Sequence, residues 1–99
     1  METQVRPSPE DQLATITEVL AALRKQGLEV RHEAKNWGDW IHIVGSETVI
    51  SIDSMRGLTG SATIEHSEDE DDDAIPAIFR AFTALGWVGI DDDGEFALV

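Results

Sequence analysis

The sequence predicts an α+β fold: an antiparallel sheet of four to six strands with two helices on one face, in the order α-β-β-β-β-α-β(β). Three observations predict it. Apolar residues recur at helical spacing in two segments, one early and one late. Between them lie short segments that alternate or run apolar, joined by brief turn-like connections, which favours an antiparallel meander. Ninety-nine residues, 41% hydrophobic and 27% charged, suit one globular domain with one core.

Residues 1–7 read as a loose, flexible N-terminus and 8–99 as a single domain. The stretch Ser8-Pro9-Glu10-Asp11 gives a helix start, with Ser8 as N-cap, Pro9 at the first helical position and Asp11 completing a capping box. Leu13, Ile16, Leu20 and Leu23 then line one face. Arg24 and Lys25 suit the negative end of the helix dipole, and Gly27 ends the helix.

The strands follow. Leu28, Val30, His32 and Ala34 alternate with Glu29, Arg31, Glu33 and Lys35. After a turn at residues 36–39, WIHIV forms the second strand, and Gly45-Ser46 reads as a two-residue hairpin loop. ETVISID is the third. A turn at 54–57 uses Gly57, and LTGSATIEH is the fourth, with Leu58, Ala62 and Ile64 on one side. The second helix takes Asp73 as N-cap and Ile75, Ile78, Phe79, Phe82 and Leu85 as core face. Its outer side would carry Ala77, Ala81, Thr83 and Ala84, and Gly86 ends it. The tail closes as a hairpin around Asp93-Gly94.

Charge is the dominant feature. Twenty acids face seven bases, a net of −13. The layout is uneven: residues 65–99 hold eleven acids and one base, Arg80, whereas residues 1–64 hold nine acids and six bases. Direct binding of nucleic acid or anionic lipid is opposed by repulsion, while a basic protein patch or a cation is attracted. The run Glu68, Asp69, Glu70, Asp71, Asp72 and Asp73 stands directly before the second helix. Capping and the helix dipole explain one or two of these acids and leave the rest as candidate electrostatic contacts.

Helices on one face leave the other sheet face open. If Ile41 and Ile43 point inward, Trp40, His42 and Val44 point outward; if Ile50 and Ile52 point inward, Val49 and Ser51 point outward. Trp37 sits in the neighbouring turn. Trp37, Trp40, His42, Val44 and Val49 are therefore the candidate partner-binding residues, since aromatic side chains are enriched at interfaces. The competing reading has the tryptophans folding over a sheet edge to serve the monomer.

No catalytic, metal or cofactor constellation is expected. Cysteine and tyrosine are absent, which removes disulfides, thiolate sites and two common catalytic groups. Asp91, Asp93 and Gly94 resemble part of a calcium loop, but Gly89 stands at the first ligand position and the closing glutamate is missing, so a hairpin turn is the simpler reading. His32, His42 and His66 have no metal-ligand spacing. Ser51, His42 and Asp53 could be grouped as a triad, yet no nucleophile-elbow context supports it. No apolar run is long enough to span a membrane and no signal peptide is read at the start, so a cytoplasmic protein is expected.

The expectation is a small acidic, non-enzymatic protein-interaction module of adaptor or regulatory type. Its partner would be a protein with a basic patch, or a second copy in a homodimer. Two alternatives stand beside it. A nucleic-acid mimic would place carboxylates in a basic groove of a nucleic-acid-binding protein. A halophilic-type protein would carry its acids only for solvation.

Overall fold

The computed structural model describes residues 2–7, 14–55, 58–66 and 74–98. Its elements are β1 (Glu2–Pro7), α1 (Ile16–Lys25), β2 (Val30–Lys35), β3 (Gly38–Ile43), β4 (Val49–Met55), β5 (Leu58–Glu65), α2 (Ala74–Ala84), β6 (Trp87–Asp91) and β7 (Gly94–Phe96). Among the described residues, seven strands form one sheet in the order β2-β3-β4-β5-β1-β6-β7, and every neighbouring pair is antiparallel. The fold is α+β with two helices and an antiparallel sheet. It has one strand more than the sequence range allows, and the element order begins with a strand.

The extra strand is β1. The sequence leaves 1–7 as a loose terminus; instead Glu2–Pro7 lies inside the sheet, between β5 and β6. Val5 is fully buried opposite Ala62 and Gly89. Six residues with one aliphatic among them carry almost no strand signal of their own. The signal lies in partners remote in sequence.

Helix α1 starts at Ile16. Thr15 is its N-cap, accepting the Glu18 N–H on Oγ1 at 3.1 Å. Thr15 and Glu18 have the spacing of a capping box. The Ser8 start, with Pro9, Asp11 and Leu13, lies outside the described residues. Val19, Leu20 and Leu23 are the buried stripe of α1, and Ile16 is only partly covered.

In α2 the helical face is rotated from the one expected. Ala74, Ala77, Ile78, Ala81 and Phe82 are buried, while Ile75, Phe79 and Leu85 are half-buried. Ala77 and Ala81 thus face packing rather than water; Thr83 and Ala84 stay exposed. The reason is that α2 packs on α1 as well as on β6, and small side chains let two helices approach closely. Arg80, on the exposed side, donates to Gln26 Oε1 at 3.1 Å and ties the helices at their surface. Asp73, the expected N-cap, lies outside the described residues, as does Gly57.

Register fixes the core. Ile41 pairs with Ile50, which pairs with Ile64; Ile52 pairs with Ala62. These residues are buried, and they join the α1 and α2 stripes, Val5 and Trp87 in one cluster. Each fully buried isoleucine contributes about 2 kcal/mol by leaving water. Phe82 and Trp87 stack at a tilt, with ring centroids 5.0 Å apart.

Two details depart from the expected parity. The β4–β5 register shifts so that Asp53 faces Ser61 and Ser54 faces Thr59, which leaves Gly60 as the extra residue of a bulge. Parity therefore flips along β5. Thr59 turns inward and donates from Oγ1 to the Ala14 carbonyl at 2.6 Å, while Leu58, expected inside, is exposed. The β3–β4 connection is also longer than a two-residue hairpin. It spans residues 44–48 and buries Thr48. The last hairpin turns at Asp92-Asp93, between the pair Asp91 and Gly94, and Asp91 Oδ1 accepts the Asp93 N–H at 2.8 Å. That is the structural role of Asp91 and Asp93.

Candidate functional site

The strand residues of opposite parity to the core are half-buried or exposed and form the uncovered sheet face. Trp40, His42 and Val49 lie on it, with Val44 in the following turn, and all four are half-buried. The Trp40 and His42 rings stack with centroids 5.9 Å apart and an interplanar angle of 15°. His42 is fixed from its far side, where Nε2 donates to the Ser46 carbonyl at 3.1 Å. In register, His42 sits between Arg31 and Val49, and Trp40 between Glu33 and Ser51. Trp37 lies in the β2–β3 turn and is 47% exposed, the most exposed large hydrophobic side chain among the described residues. The structure thus gathers the aromatic candidates at one end of the open face.

Acids adjoin this patch, since Glu65 is the cross-strand partner of Val49. Glu2 and Glu65 are directly opposed across β1 and β5. Like charges in that position repel. Glu2, Gln4, Ile90, Asp91 and Asp92 line a shallow depression of about 330 Å³. Arg6 and Glu95 form an ion pair across β6, both partly exposed. Glu68, Asp69, Glu70, Asp71, Asp72 and Asp73 lie outside the described residues, so the structure does not place them relative to this face.

Ser51, His42 and Asp53 do not assemble into a triad. His42 is engaged by Ser46, and Asp53 Oδ2 accepts from Ser61 Oγ at 3.2 Å. A different trio meets on the inner face near the β2 edge. Asp39, 6% exposed, accepts from His32 Nε2 at 2.6 Å on Oδ1 and from Ser54 Oγ at 2.5 Å on Oδ2. In a nucleophilic triad the imidazole stands between acid and hydroxyl. Here the carboxylate stands in the middle, so Ser54 gives its hydrogen bond to Asp39, and among the described residues no base faces its oxygen. The trio clamps β2, β3 and β4 together and satisfies a buried charge. Sequence reasoning missed it because it leaves Asp39 and Ser54 in turns at 36–39 and 54–57, whereas both lie in strands and extend the inward parity of Ile41 and Ile52.

His66 is buried at the end of β5, with Nε2 3.0 Å from Thr3 Oγ1 and its ring edge-on to Phe79. Its Nδ1 and the Trp87 Nε1 are buried without hydrogen-bond partners among the described residues. No group of three or more metal-ligating side chains occurs among the described residues. None of their helices is long and apolar enough to cross a membrane.

No family model matches the chain, and no match was found among curated proteins or solved structures.

Proposed function

We propose that this chain is a small acidic, non-enzymatic interaction module of adaptor or regulatory type, which binds a cytoplasmic protein carrying a basic patch through its open sheet face. The observation that carries the reading is the Trp40–His42 stack, held half-buried on a face that neither described helix covers. Aromatic groups in such a setting present large, pre-ordered contact area. Glu65 and Glu2, in the same row as His42 and Val49, supply a negative field that steers a basic partner. The non-enzymatic part of the reading draws on the Asp39 trio, whose two donors are both spent on the carboxylate. The nucleic-acid-mimic form draws on Glu65, Glu2, Asp91 and Asp92, and the clustering of the last three at one depression, instead of along a phosphate-like track, weighs against it.

The test compares the chain with Trp40→Ala as bait for basic partners, at low and at high salt. Binding that is lost in the variant, and weakened by salt for both, supports the reading. Equal binding by both chains removes the open face from it.

A second reading is favoured by composition: Lys25 and Lys35 are the only lysines against twenty acids. In a salty cytoplasm such a surface serves solvation alone. A thermal melt in potassium chloride from about 0.05 to about 3 M separates the two, because screening lengths shrink from above 10 Å to below 3 Å over that range. The interaction reading expects a folded chain at the low end. A requirement for molar salt makes the acid excess an adaptation and removes the charge argument for a partner.

A further inference from the structure

The two sheet edges are unlike. At one end β7 is three residues long and sits among Asp91, Asp92, Asp93 and Glu95. At the other, β2 is six residues long, and its residues 31–35 are all exposed. Its outer backbone groups are unpaired by the sheet. The Val44 N–H bonds to the Glu29 carbonyl at 2.9 Å, which makes Val30–Ile43 a non-hydrogen-bonded pair. By alternation, the N–H and C=O groups of Val30, His32 and Ala34 point away from β3, toward the free edge. An edge of this length, whose outward donors and acceptors meet no other strand among the described residues, is a template for another strand.

The side chains select which strand. On the outward face, positions 29, 31, 33 and 35 read Glu, Arg, Glu, Lys, with signs alternating along the strand. An antiparallel copy of the same sequence can pair in several registers. Centred on Arg31 or on Glu33, every opposed pair of these four is of like sign. Centred on His32, Arg31 faces Glu33 and Glu29 faces Lys35, and each pairing occurs twice by symmetry. The same register brings Val30 opposite Ala34 and His32 opposite its symmetry mate, so all three outward-pointing residues of each strand find hydrogen-bonded partners. The charged pairs fall at the non-hydrogen-bonded positions, where side chains stand closest, with Cα atoms about 4.5 Å apart. His32 does not crowd the axis, because its ring leans back to Asp39.

The regional charge agrees. Residues 24–35 hold four of the seven bases, Arg24, Lys25, Arg31 and Lys35, against two acids, Glu29 and Glu33. Two chains of net charge −13 repel almost everywhere else. Meeting at β2 joins them at their least negative border.

We propose that two copies of this chain pair antiparallel through β2, in the register centred on His32, to make one continuous sheet across the dimer. The proposal does not depend on the partner-binding reading, and its readout is mass rather than partner capture. Sedimentation equilibrium of the whole chain should give about 22 kDa, twice the 10.9 kDa chain. Arg31→Glu places like charges opposite each other and should weaken the dimer at least about tenfold. The double variant Arg31→Glu/Glu33→Arg restores complementarity and should recover it. Ala34→Pro removes an outward N–H and no bond to β3, so it should also yield monomer while far-UV circular dichroism stays unchanged. A monomeric parent chain at every concentration overturns the proposal. So does a dimer indifferent to Arg31→Glu, or a charge-swapped double variant no tighter than the single one.

Discussion

The β2–β5 meander and the β1–β6–β7 half belong to one sheet but are assembled on different principles. In the meander each strand pairs with the next in sequence, and the inner face is a run of buried isoleucines, Ile41, Ile50, Ile52 and Ile64. In the other half, β1 comes from the beginning of the chain and is inserted between strands from much further on. Its contacts are smaller or more individual: Val5 against Ala62 and Gly89, Phe82 on Trp87, Phe96 folded over Gly89. On the open face the stacked aromatics lie on the meander, and the opposed acids Glu65 and Glu2 straddle the seam where β5 meets β1. Local pairing built a rigid platform for aromatic groups, while long-range pairing brought like charges together and needed a deeply buried anchor to hold them.

If that division is correct, the closing half should fail most sharply at its anchor. Val5→Asp puts an unpaired carboxylate in a fully buried position of β1. The expected loss is on the order of 4 kcal/mol, read as a large fall in the urea midpoint or as failure to fold. A loss below about 1 kcal/mol would show that β1 is dispensable to the sheet.

The meander has one comparable weak point. Gly38 packs against β4 so closely that an added Cβ would fall on the Ile52 carbonyl oxygen and lie 3.0 Å from the Ser54 nitrogen, and its φ of 152° disfavours other residues. Gly38→Ala should cost about 3 kcal/mol, because β4 backbone rather than a flexible side chain must yield. The shift would also loosen the Asp39–Ser54 bond. Retention of full stability would mean that β3 and β4 are less tightly apposed than the Ile isologues of their inner face imply.

The smallest expected effect is at the aromatic end. Trp40→Ala removes a half-buried ring from the outward face and should cost about 1 kcal/mol of stability, measured in the same urea titration, while partner binding falls. A loss comparable to that at Val5 would make Trp40 part of the monomer's own packing instead of a platform for contact.

Much of the meander was legible from residues, because alternation around Ile41, Ile43, Ile50 and Ile52 needs only neighbours to interpret. The outward placing of Trp40, His42 and Val49 followed from the same parity. What escaped was encoded at a distance. Val5 becomes a strand residue only when Ala62 and Gly89 flank it. Ala77 and Ala81 look like a solvent face until α1 is laid beside them. Leu58 and Thr59 exchange sides because Gly60 is a bulge, and no periodicity announces the inserted residue. The Asp39 trio joins three strands through side chains that share no motif.

The central place of β1 has a consequence in time. A chain made from its N-terminus releases β1 before the other strands of this sheet, yet Gln4 pairs with Thr63 on one side and Ile90 on the other. The meander can form while synthesis continues, but it then presents β5 as a raw border. Only when residues near 90 have emerged can β1 find both neighbours and the sheet close. Contacts of such long sequence separation are slow to form, and the half-built sheet is the species most open to mispairing. In this sheet a strand made before both of its neighbours is fully placed only after the later of them has emerged.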